Sequence, residues 1–337
     1  LPLEYRQAHF PEAHRRVMPA HSFEPVRGNL ERFSIVSSKL ENQLGDPIER
    51  EIMVHIPPNS NGPLPCIIYL APFTGTGFAR ANWRAFNETL PQRHERLVAE
   101  GKMAPAILVM PDTFTSLGGN QFIDSKILGN WGSWLREDLR DELSSRYDIS
   151  GFGLVGKSSG GYGALVRGML DDSWDAIACH SGDCGFEVVF GIEMASTLTE
   201  IMGHGGEKEF LEYVKQTPSL KGEDFHTLMF LAMAATYSDG TLPVDLNCKF
   251  DDDKWAEWKS WDPLTLVESY QNLPPCWIDV GDRDQYNIHY GLRQLHNRMI
   301  ELGIEHEWEE FPGTHSGIDY RLDLSLPWLV SKIQSAS

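Results

Sequence analysis

The chain has 337 residues, of which 41% are hydrophobic, 23% are charged and 11% are aromatic. This composition excludes disordered and fibrous proteins, and the length fits one large domain or two average ones. The net charge of −19 disfavours nucleic acids and anionic membrane surfaces as partners, because both are themselves negatively charged. No apolar run approaches the roughly 18 residues of a membrane-spanning helix, so we predict no membrane span.

The N-terminal residues and the cysteines bear on location and metal binding. Residues 1–16 lack the basic, apolar and small-residue order of a signal peptide, which favours a cytoplasmic location. A leader removed before Leu1 would instead make the protein a secreted one. The 5 cysteines are scattered, which argues against a disulfide framework. Neither a CxxC nor an HExxH motif occurs, so we predict no metal and no cofactor.

The first predicted elements form a β-hairpin, because two strand patterns flank a turn at residues 45–47. Short apolar runs bounded by turn residues follow, and such continuous runs are typical of strands covered on both faces. The hairpin strands and these runs are 30–40, 48–56, 66–70, 106–110, 152–155, 176–179 and 277–280. Segments with helical spacing lie between the runs. We therefore predict an α/β fold with a mostly parallel sheet, helices on both faces and an N-terminal antiparallel hairpin.

One long stretch breaks the alternation of strand and helix. Between about residues 185 and 273 the sequence shows helix-like segments and no clear strand, and the stretch is too long for an ordinary loop. We interpret it as a mainly helical cap inserted between two strands of one sheet. The predicted organisation is a single domain, 1–337, that carries a cap at about 185–273.

The segment GFGLVGKSSGGYGAL, which begins at Gly151, fits three functional motifs at once. Its first glycines match the GxGxxG dinucleotide fingerprint, and the stretch from Gly151 to Ser158 matches the Walker A phosphate loop. Gly156, Ser158 and Gly160 match the GxSxG nucleophile elbow, in which a serine lies at the tip of a sharp turn between a strand and a helix.

The local context separates these motifs. A phosphate-binding loop needs a strand that ends before Gly151, but a charged amphipathic pattern precedes that residue. The strand can only be 152–155, which would place large apolar side chains inside a loop meant for phosphate. The elbow is the favoured interpretation, because strand, turn and helix patterns follow in the required order. A P-loop nucleotide-binding protein, built on Gly151 to Ser158, stays an alternative.

A nucleophilic serine needs a histidine base and an acid that orients it, and elbow enzymes carry them in the order serine, acid, histidine. Asp284 follows the strand predicted at 277–280, and α/β sheets place their sites at such strand ends. His315 follows the next apolar run, in a glycine-containing loop. We predict Ser158 as the nucleophile, Asp284 as the acid and His315 as the base, with Asp282 as the fallback acid.

Backbone amides are expected to hold the oxyanion that forms when a carbonyl is attacked. In elbow enzymes one amide belongs to the residue after the nucleophile, and the other belongs to the loop after an earlier strand. These positions correspond to Ser159 and to the loop at 70–77, where we predict the amide of Phe73.

These motifs resemble the esterase D-like family of α/β-hydrolases, also named the Putative esterase family. The resemblance spans about 30–335 without the insert, and its motifs lie at 69–73, 156–164, 281–284 and 312–315. The sequence departs from the family pattern at two points. Ala71-Pro72 replaces His-Gly after the strand, and Lys157 replaces the histidine before the nucleophile.

The resemblance implies an α/β-hydrolase fold and the same three catalytic residues, Ser158, Asp284 and His315, with oxyanion amides from Phe73 and Ser159. Its members include ester and thioester hydrolases and also mycolyl transferases. We therefore predict a carboxylesterase-type serine hydrolase that acts on a small-molecule ester or thioester through an acyl-enzyme intermediate. The remaining alternatives are the P-loop protein and a catalytically silent binding module with the α/β-hydrolase fold.

Overall fold

The computed structural model of the protein describes residues 23–270 and 272–336. Part of the predicted domain 1–337, its first 22 residues above all, therefore lies outside the described residues. The strands are β1 (Asn29–Val36), β2 (Glu49–Ile56), β3 (Leu64–Leu70), β4 (Ile107–Pro111), β5 (Asp124–Ser125), β6 (Gly129–Asn130), β7 (Ile149–Lys157), β8 (Ala176–His180), β9 (Cys276–Gly281) and β10 (Glu307–Phe311).

Eight of these strands form one sheet in the order β1-β2-β4-β3-β7-β8-β9-β10, and β5 pairs with β6 apart from it. β1 runs antiparallel to β2, and β2 runs antiparallel to β4. All other neighbours in the sheet are parallel. The structure thus confirms the predicted N-terminal hairpin and the mostly parallel sheet. Among the described residues, β1 and β10 form the two edges of this sheet, and β10 carries three glutamates in the sequence EWEEF.

Helices cover both faces of the sheet, as the continuous apolar strands predicted. The helices are α1 (Gly77–Ala81), α2 (Leu90–Ala99), α3 (Trp131–Trp134), α4 (Arg140–Arg146), α5 (Ser159–Leu170), α6 (Phe186–Val189), α7 (Met194–Gly203), α8 (Glu207–Gln216), α9 (Gly222–Tyr237), α10 (Asp252–Ser260), α11 (Pro263–Leu266), α12 (Ile288–Glu301) and α13 (Leu322–Ala336). α2 and α13 contribute to one apolar core, and α4, α5, α9 and α12 contribute to the other. Within residues 23–270 and 272–336, no helix is both long and apolar enough to cross a bilayer.

The segment between β8 and β9 contains six helices, α6 to α11, and it includes the predicted cap at about 185–273. We call residues 185–273 the helical insert. Its buried aromatic side chains pack against one another: the ring of Phe190 contacts those of Phe230 and Trp258 at centroid distances of 5.8 and 6.1 Å. The same apolar cluster continues into the sheet through residues such as Leu154 and Ile278. The assignment of the whole chain to a single domain stays a prediction.

Candidate active site

Ser158 lies at the tip of a sharp turn between β7 and α5. Its backbone has φ 56° and ψ −126°, outside the regions that residues other than glycine normally occupy. The amide of Ser158 donates a hydrogen bond of 3.0 Å to the carbonyl oxygen of His180, which fixes the turn to the end of β8. Ser158 is partly exposed, whereas the adjoining Ser159 is buried. The turn therefore presents the Ser158 side chain to solvent at the carboxyl edge of the sheet.

Two glycines allow the strand and the helix of this turn to approach each other. A Cβ atom at Gly156 would lie 2.2 Å from the carbonyl oxygen of Gly160. A Cβ atom at Gly160 would lie 2.0 Å from the carbonyl oxygen of Leu70, at the end of β3. Both distances are far below van der Waals contact with backbone that cannot move aside. The packing confirms the requirement for glycine that the elbow motif predicted.

The phosphate-binding interpretations of the same segment are wrong. Gly151 lies within β7 and pairs with Pro65 of β3, so it belongs to a strand and not to a loop. Leu154 and Val155 are fully buried in the sheet. The stretch from Gly151 to Ser158 has no loop whose amides could surround a phosphate, because its backbone groups already pair with neighbouring strands.

Asp284 and His315 are brought together from two loops. Asp284 follows β9 and His315 follows β10, and the Nδ1 atom of His315 lies 2.8 Å from Oδ2 of Asp284. Both side chains are buried. The ring of Tyr286 packs edge-on against the imidazole at a centroid distance of 4.9 Å. The amide of His315 also donates to the side-chain oxygen of Gln285 at 3.0 Å, so both the ring and the backbone of this histidine are held.

Burial and a nearby cation favour the neutral form of His315. Burial lowers the pKa of His315, the hydrogen bond with Asp284 opposes this effect, and the ammonium of Lys157 lowers the pKa further. Lys157 immediately precedes Ser158, so the cation that acts on the imidazole is the direct neighbour of the proposed nucleophile. A neutral imidazole with Nδ1 donating to a carboxylate leaves Nε2 free to accept a proton.

Asp282, the fallback acid, has a different position. Its Oδ1 atom accepts a hydrogen bond of 3.0 Å from the amide of Gly313, in the loop that leads to His315. Its side chain is 40% exposed, and among the described residues its other polar contact is with the adjoining Arg283. The structure brings Asp284, and not Asp282, to the imidazole of His315.

The predicted oxyanion amides lie on the two segments that meet at the elbow. Ser159 is the first residue of α5, where helix amides have no partner within the helix. Phe73 lies in the loop after β3, and this loop is fixed by a 2.7 Å hydrogen bond from the Thr74 amide to the Gly118 carbonyl. The close contact between α5 and the end of β3 brings these two segments together. The oxyanion role of the two amides stays a prediction.

A second serine–histidine–aspartate set lies beneath the elbow, and sequence reasoning missed it. Nδ1 of His180 donates to Oδ1 of Asp279 at 2.6 Å, and Nε2 of His180 lies 2.8 Å from Oγ of Ser325. Ser325 and Asp279 are fully buried and His180 is 2% exposed. Because His180 holds the Ser158 amide through its carbonyl oxygen, we assign the set a structural role. Its sequence signal was Asp279, a charged residue inside an apolar strand, since a buried carboxylate needs partners.

This buried set supports the nucleophile turn. Arg321 donates from Nε to Oδ2 of Asp279 at 2.9 Å and forms an ion pair with Glu309. His180, which the carboxylate holds in place, supplies the carbonyl oxygen that accepts from the Ser158 amide. The network therefore joins β8, β9, β10 and the C-terminal helix region to the residue that carries the hydroxyl.

One group of described side chains has the composition of a metal site. Glu200, His204 and Asp224 lie in the helical insert with ligand atoms within 4.8 Å of one another. Oδ2 of Asp224 already accepts from the Tyr213 hydroxyl at 3.0 Å and from the Lys221 amide at 2.7 Å. These hydrogen bonds give Asp224 a structural role at the start of α9.

Solved structures with the same architecture include three that align along most of this chain. A ferulic acid esterase is 16% identical, with 93% of this chain and 100% of that chain covered and a TM-score of 0.53. FphF, a fluorophosphonate-binding serine hydrolase of Staphylococcus aureus, is 14% identical, with 90% and 98% covered and a TM-score of 0.54. An S-formylglutathione hydrolase from Agrobacterium tumefaciens is 17% identical, with 93% and 98% covered and a TM-score of 0.56. No curated protein sequence matches this chain.

The fold of this protein is that of an α/β-hydrolase. Residues 47–326 match the family described as Putative esterase, and the chain belongs to this family. It is a hydrolase of the carboxylesterase type, as its sequence motifs predicted.

Proposed function

We propose that the chain cleaves carboxylic ester or thioester bonds through an acyl-enzyme intermediate on Ser158. The observation that carries this proposal is the left-handed backbone of Ser158, with φ 56°, at the strand–helix turn. A strained backbone of this kind persists only where the surrounding structure enforces it. In a nucleophile elbow, this conformation holds the serine hydroxyl above the sheet. The names of two proteins with the same fold, ferulic acid esterase and S-formylglutathione hydrolase, cover both ester and thioester substrates.

In the first half of the proposed reaction, Oγ of Ser158 attacks the carbonyl carbon of the substrate. Nε2 of His315 accepts the hydroxyl proton and then donates it to the departing alcohol or thiol. Asp284 keeps the Nδ1 proton of His315 on the far side of the ring, through the 2.8 Å hydrogen bond, and stabilises the transient imidazolium.

The amides of Phe73 and Ser159 stabilise the negative charge on the carbonyl oxygen during the attack. The loss of one such donor typically costs about 2.7–4 kcal/mol of transition-state stabilisation. In the second half, His315 removes a proton from water, and the resulting hydroxide attacks the acyl-serine. The acid product leaves and the Ser158 hydroxyl is restored.

The test is covalent labelling with a fluorophosphonate, followed by peptide mapping, together with hydrolysis of a panel of aryl esters and thioesters. We expect the label on Ser158. We expect Ser158→Ala to remove labelling and to lower kcat by a factor on the order of 10⁴ or more, as in other enzymes with this catalytic arrangement. Asp284→Asn should retain labelling at a much reduced rate, because the imidazole loses its orienting acid.

The chain offers a matched control in Ser325, which also lies beside a histidine that contacts an aspartate. Ser325→Ala should keep the label on Ser158. A label on any other serine, or normal turnover by Ser158→Ala, would contradict the proposed mechanism. A folded wild-type protein that takes no label and cleaves no ester would instead be a binding module.

A further inference from the structure

Next to the elbow, the structure holds a buried polar cluster that the proposed reaction does not use. It consists of Gln121 from the loop after β4, Ser159 at the start of α5, Asp183 after β8 and Met233 from α9 of the helical insert. We call it the Gln121 cluster. Nε2 of Gln121 lies 3.2 Å from Oγ of Ser159, 3.3 Å from Oδ2 of Asp183 and 2.9 Å from Sδ of Met233. All four residues are at most 5% exposed.

The two ends of the Gln121 side-chain amide are unequally satisfied. A glutamine side chain has two N–H groups, and here three acceptors surround its nitrogen. Its carbonyl oxygen Oε1 is fully buried and has no hydrogen-bond partner among the described residues. A buried acceptor without a partner is energetically costly, so a native protein seldom keeps one without a reason. The missing element is a group that donates a hydrogen bond to Oε1 of Gln121.

Asp183 adds a group that can both donate and accept. Burial raises the pKa of Asp183 to about 7, the hydrogen bond from Gln121 opposes this effect, and the charge of Asp284 raises the pKa further. The carboxyl group therefore exchanges its proton near neutral pH. The cluster lies next to the proposed nucleophile, because Ser159, whose Oγ contacts Gln121, directly follows Ser158.

Met233 occupies the side of the cluster that belongs to the helical insert. Its thioether is a weak acceptor, and the unbranched side chain changes rotamer easily. A hydroxyl oxygen in the same place would accept more strongly from Nε2 of Gln121, and its hydrogen would be available for a buried acceptor. Entry of a ligand therefore requires a rotamer change of Met233, the most flexible member of the cluster.

We propose that the Gln121 cluster is a substrate subsite that selects esters with a hydroxyl group close to the scissile carbonyl. Ser159 links the subsite to the reaction, since it carries both the side chain that contacts Gln121 and the amide next to the nucleophile. A substrate hydroxyl satisfies the unpartnered oxygen of Gln121 and exchanges hydrogen bonds with Asp183. An ester without that hydroxyl leaves the buried groups unsatisfied, which is the basis of discrimination at such sites. This inference rests on the proposed esterase function.

The test compares kcat/KM for matched ester pairs that differ by one hydroxyl group. In the first arm the hydroxyl is on the acyl group: an aryl propanoate is compared with the aryl 2-hydroxypropanoate and with the aryl 3-hydroxypropanoate. In the second arm the hydroxyl is on the alcohol: ethyl acetate is compared with 2-hydroxyethyl acetate. A third arm compares the aryl 2-aminopropanoate with the aryl 2-hydroxypropanoate. This comparison shows whether the cluster prefers a hydroxyl group or an ammonium group. For the wild type we expect at least one hydroxylated ester to be preferred over its partner by about tenfold or more.

Two variants show whether the preference comes from the cluster. Gln121→Met keeps the approximate shape and removes both polar groups, so the preference ratio should fall to within about threefold of one. Asp183→Asn is nearly isosteric and should lower the ratio severalfold, which provides a second reading if Gln121→Met does not fold. Asp172→Asn, an exposed aspartate in the turn after α5, is the control and should leave the ratio unchanged. Fluorophosphonate labelling counts the active sites of each variant.

The outcomes distinguish the inference from the proposed function. Hydrolysis of the plain esters with no preference for any hydroxylated partner overturns the inference and leaves the esterase function intact. The same holds if the preference survives in both Gln121→Met and Asp183→Asn. A preference for the amino ester alone overturns the hydroxyl assignment in favour of an ammonium ligand. Absence of both labelling and turnover in the folded wild type overturns the proposed function, and the inference with it.

Discussion

Lys157 is a half-buried cation directly before the proposed nucleophile, and its charge acts on His315. Burial lowers the pKa of Lys157 itself, the charge of Arg80 lowers it further, and Asp319 and Asp284 oppose both effects. A cation beside an imidazole disfavours the imidazolium form, because like charges repel. Burial is the main cause of the lowered pKa of His315, and the charge of Lys157 adds to it, so both favour the neutral form that a general base requires.

Removal of this charge should change the pH dependence of the reaction. The acid limb of kcat/KM reports the protonation of the base in the free enzyme. Because Lys157 lowers the pKa of His315, we expect Lys157→Met to raise that pKa and to move the acid limb to higher pH. Lys215→Met, at an exposed position on α8, is the control and should leave the limb in place. An acid limb at the same pH in wild type and Lys157→Met would show that the charge does not reach the base.

The elbow glycines allow a sharp test of backbone packing. In Gly160→Ala the new Cβ would meet the Leu70 carbonyl at 2.0 Å, so we expect a loss of at least about 3 kcal/mol in the free energy of unfolding. Gly222→Ala is the matched control, because nothing lies within 4 Å of its Cβ position. It should leave stability unchanged or raise it by up to about 1 kcal/mol. Chemical denaturation measures both, and equal stabilities would contradict the packing argument.

For individual residues, the sequence predicted those features that depend on the local geometry of the chain. Ser158 and its glycines follow from a strand–turn–helix pattern within ten residues, and the structure places them as expected. The contact of Asp284 with His315 followed from the order of the motifs along the chain. Gln121 was not predicted, because it lies in a loop with no motif and its partners come from three other elements.

At the scale of elements, the network of His180, Asp279 and Ser325 connects β8, β9 and α13 beneath the elbow. The charges within it are fully paired: Asp279 faces both His180 and Arg321. The pKa of Asp279 is lowered, although burial raises it, because His180 and Arg321 favour the carboxylate. Such a network depends on each of its members, since the loss of one leaves a buried charge without a partner.

We expect Asp279→Ala to destabilise the protein by about 3–5 kcal/mol, because the buried Arg321 loses one of its two carboxylate partners and Nδ1 of His180 loses its hydrogen-bond acceptor. Ser325→Ala removes only a hydroxyl and should cost about 1–3 kcal/mol. Urea denaturation compares the two variants. A loss from Asp279→Ala no larger than that from Ser325→Ala would contradict the assigned role.

The network also shows the limit of sequence reasoning about elements. His180 is separated from Asp279 by 99 residues and from Ser325 by 145, so no spacing rule connects them. The strands themselves were predicted well, because their continuous apolar runs reflect burial on both faces. The phosphate-loop alternative failed for the same reason, since Leu154 and Val155 belong to such a strand.

At the scale of the whole molecule, the aromatic core of the helical insert is continuous with the core of the sheet. Trp258 is fully buried there and packs against Phe190 and Tyr237. Two regions that share one apolar core unfold together, because neither can lose its contacts without exposing the other. This continuity is the physical argument for the single domain that the sequence predicted.

Thermal or urea unfolding followed by two spectroscopic probes should therefore show one coincident transition. Trp258→Ala should lower the stability of that single transition by about 3–5 kcal/mol, the usual cost of truncating a buried aromatic residue. Trp83→Ala is the control, because this side chain is 77% exposed, and it should change stability by less than about 0.5 kcal/mol. Two separate transitions, with only one affected by Trp258→Ala, would show that the insert folds independently.

The edge of the sheet formed by β10 has a consequence for self-association. An edge strand offers unpaired backbone groups to any second strand that approaches, and charged side chains are a common protection against such pairing. The sequence of β10, EWEEF, places three carboxylates on five residues. Two of these carboxylates are paired with arginines, Glu309 with Arg321 and Glu310 with Arg293, so a second copy that docked there would have to accommodate these ion pairs as well as the charge of Glu307. We therefore expect the charged side chains of this edge to disfavour strand pairing between two copies of the chain, even when the protein is concentrated.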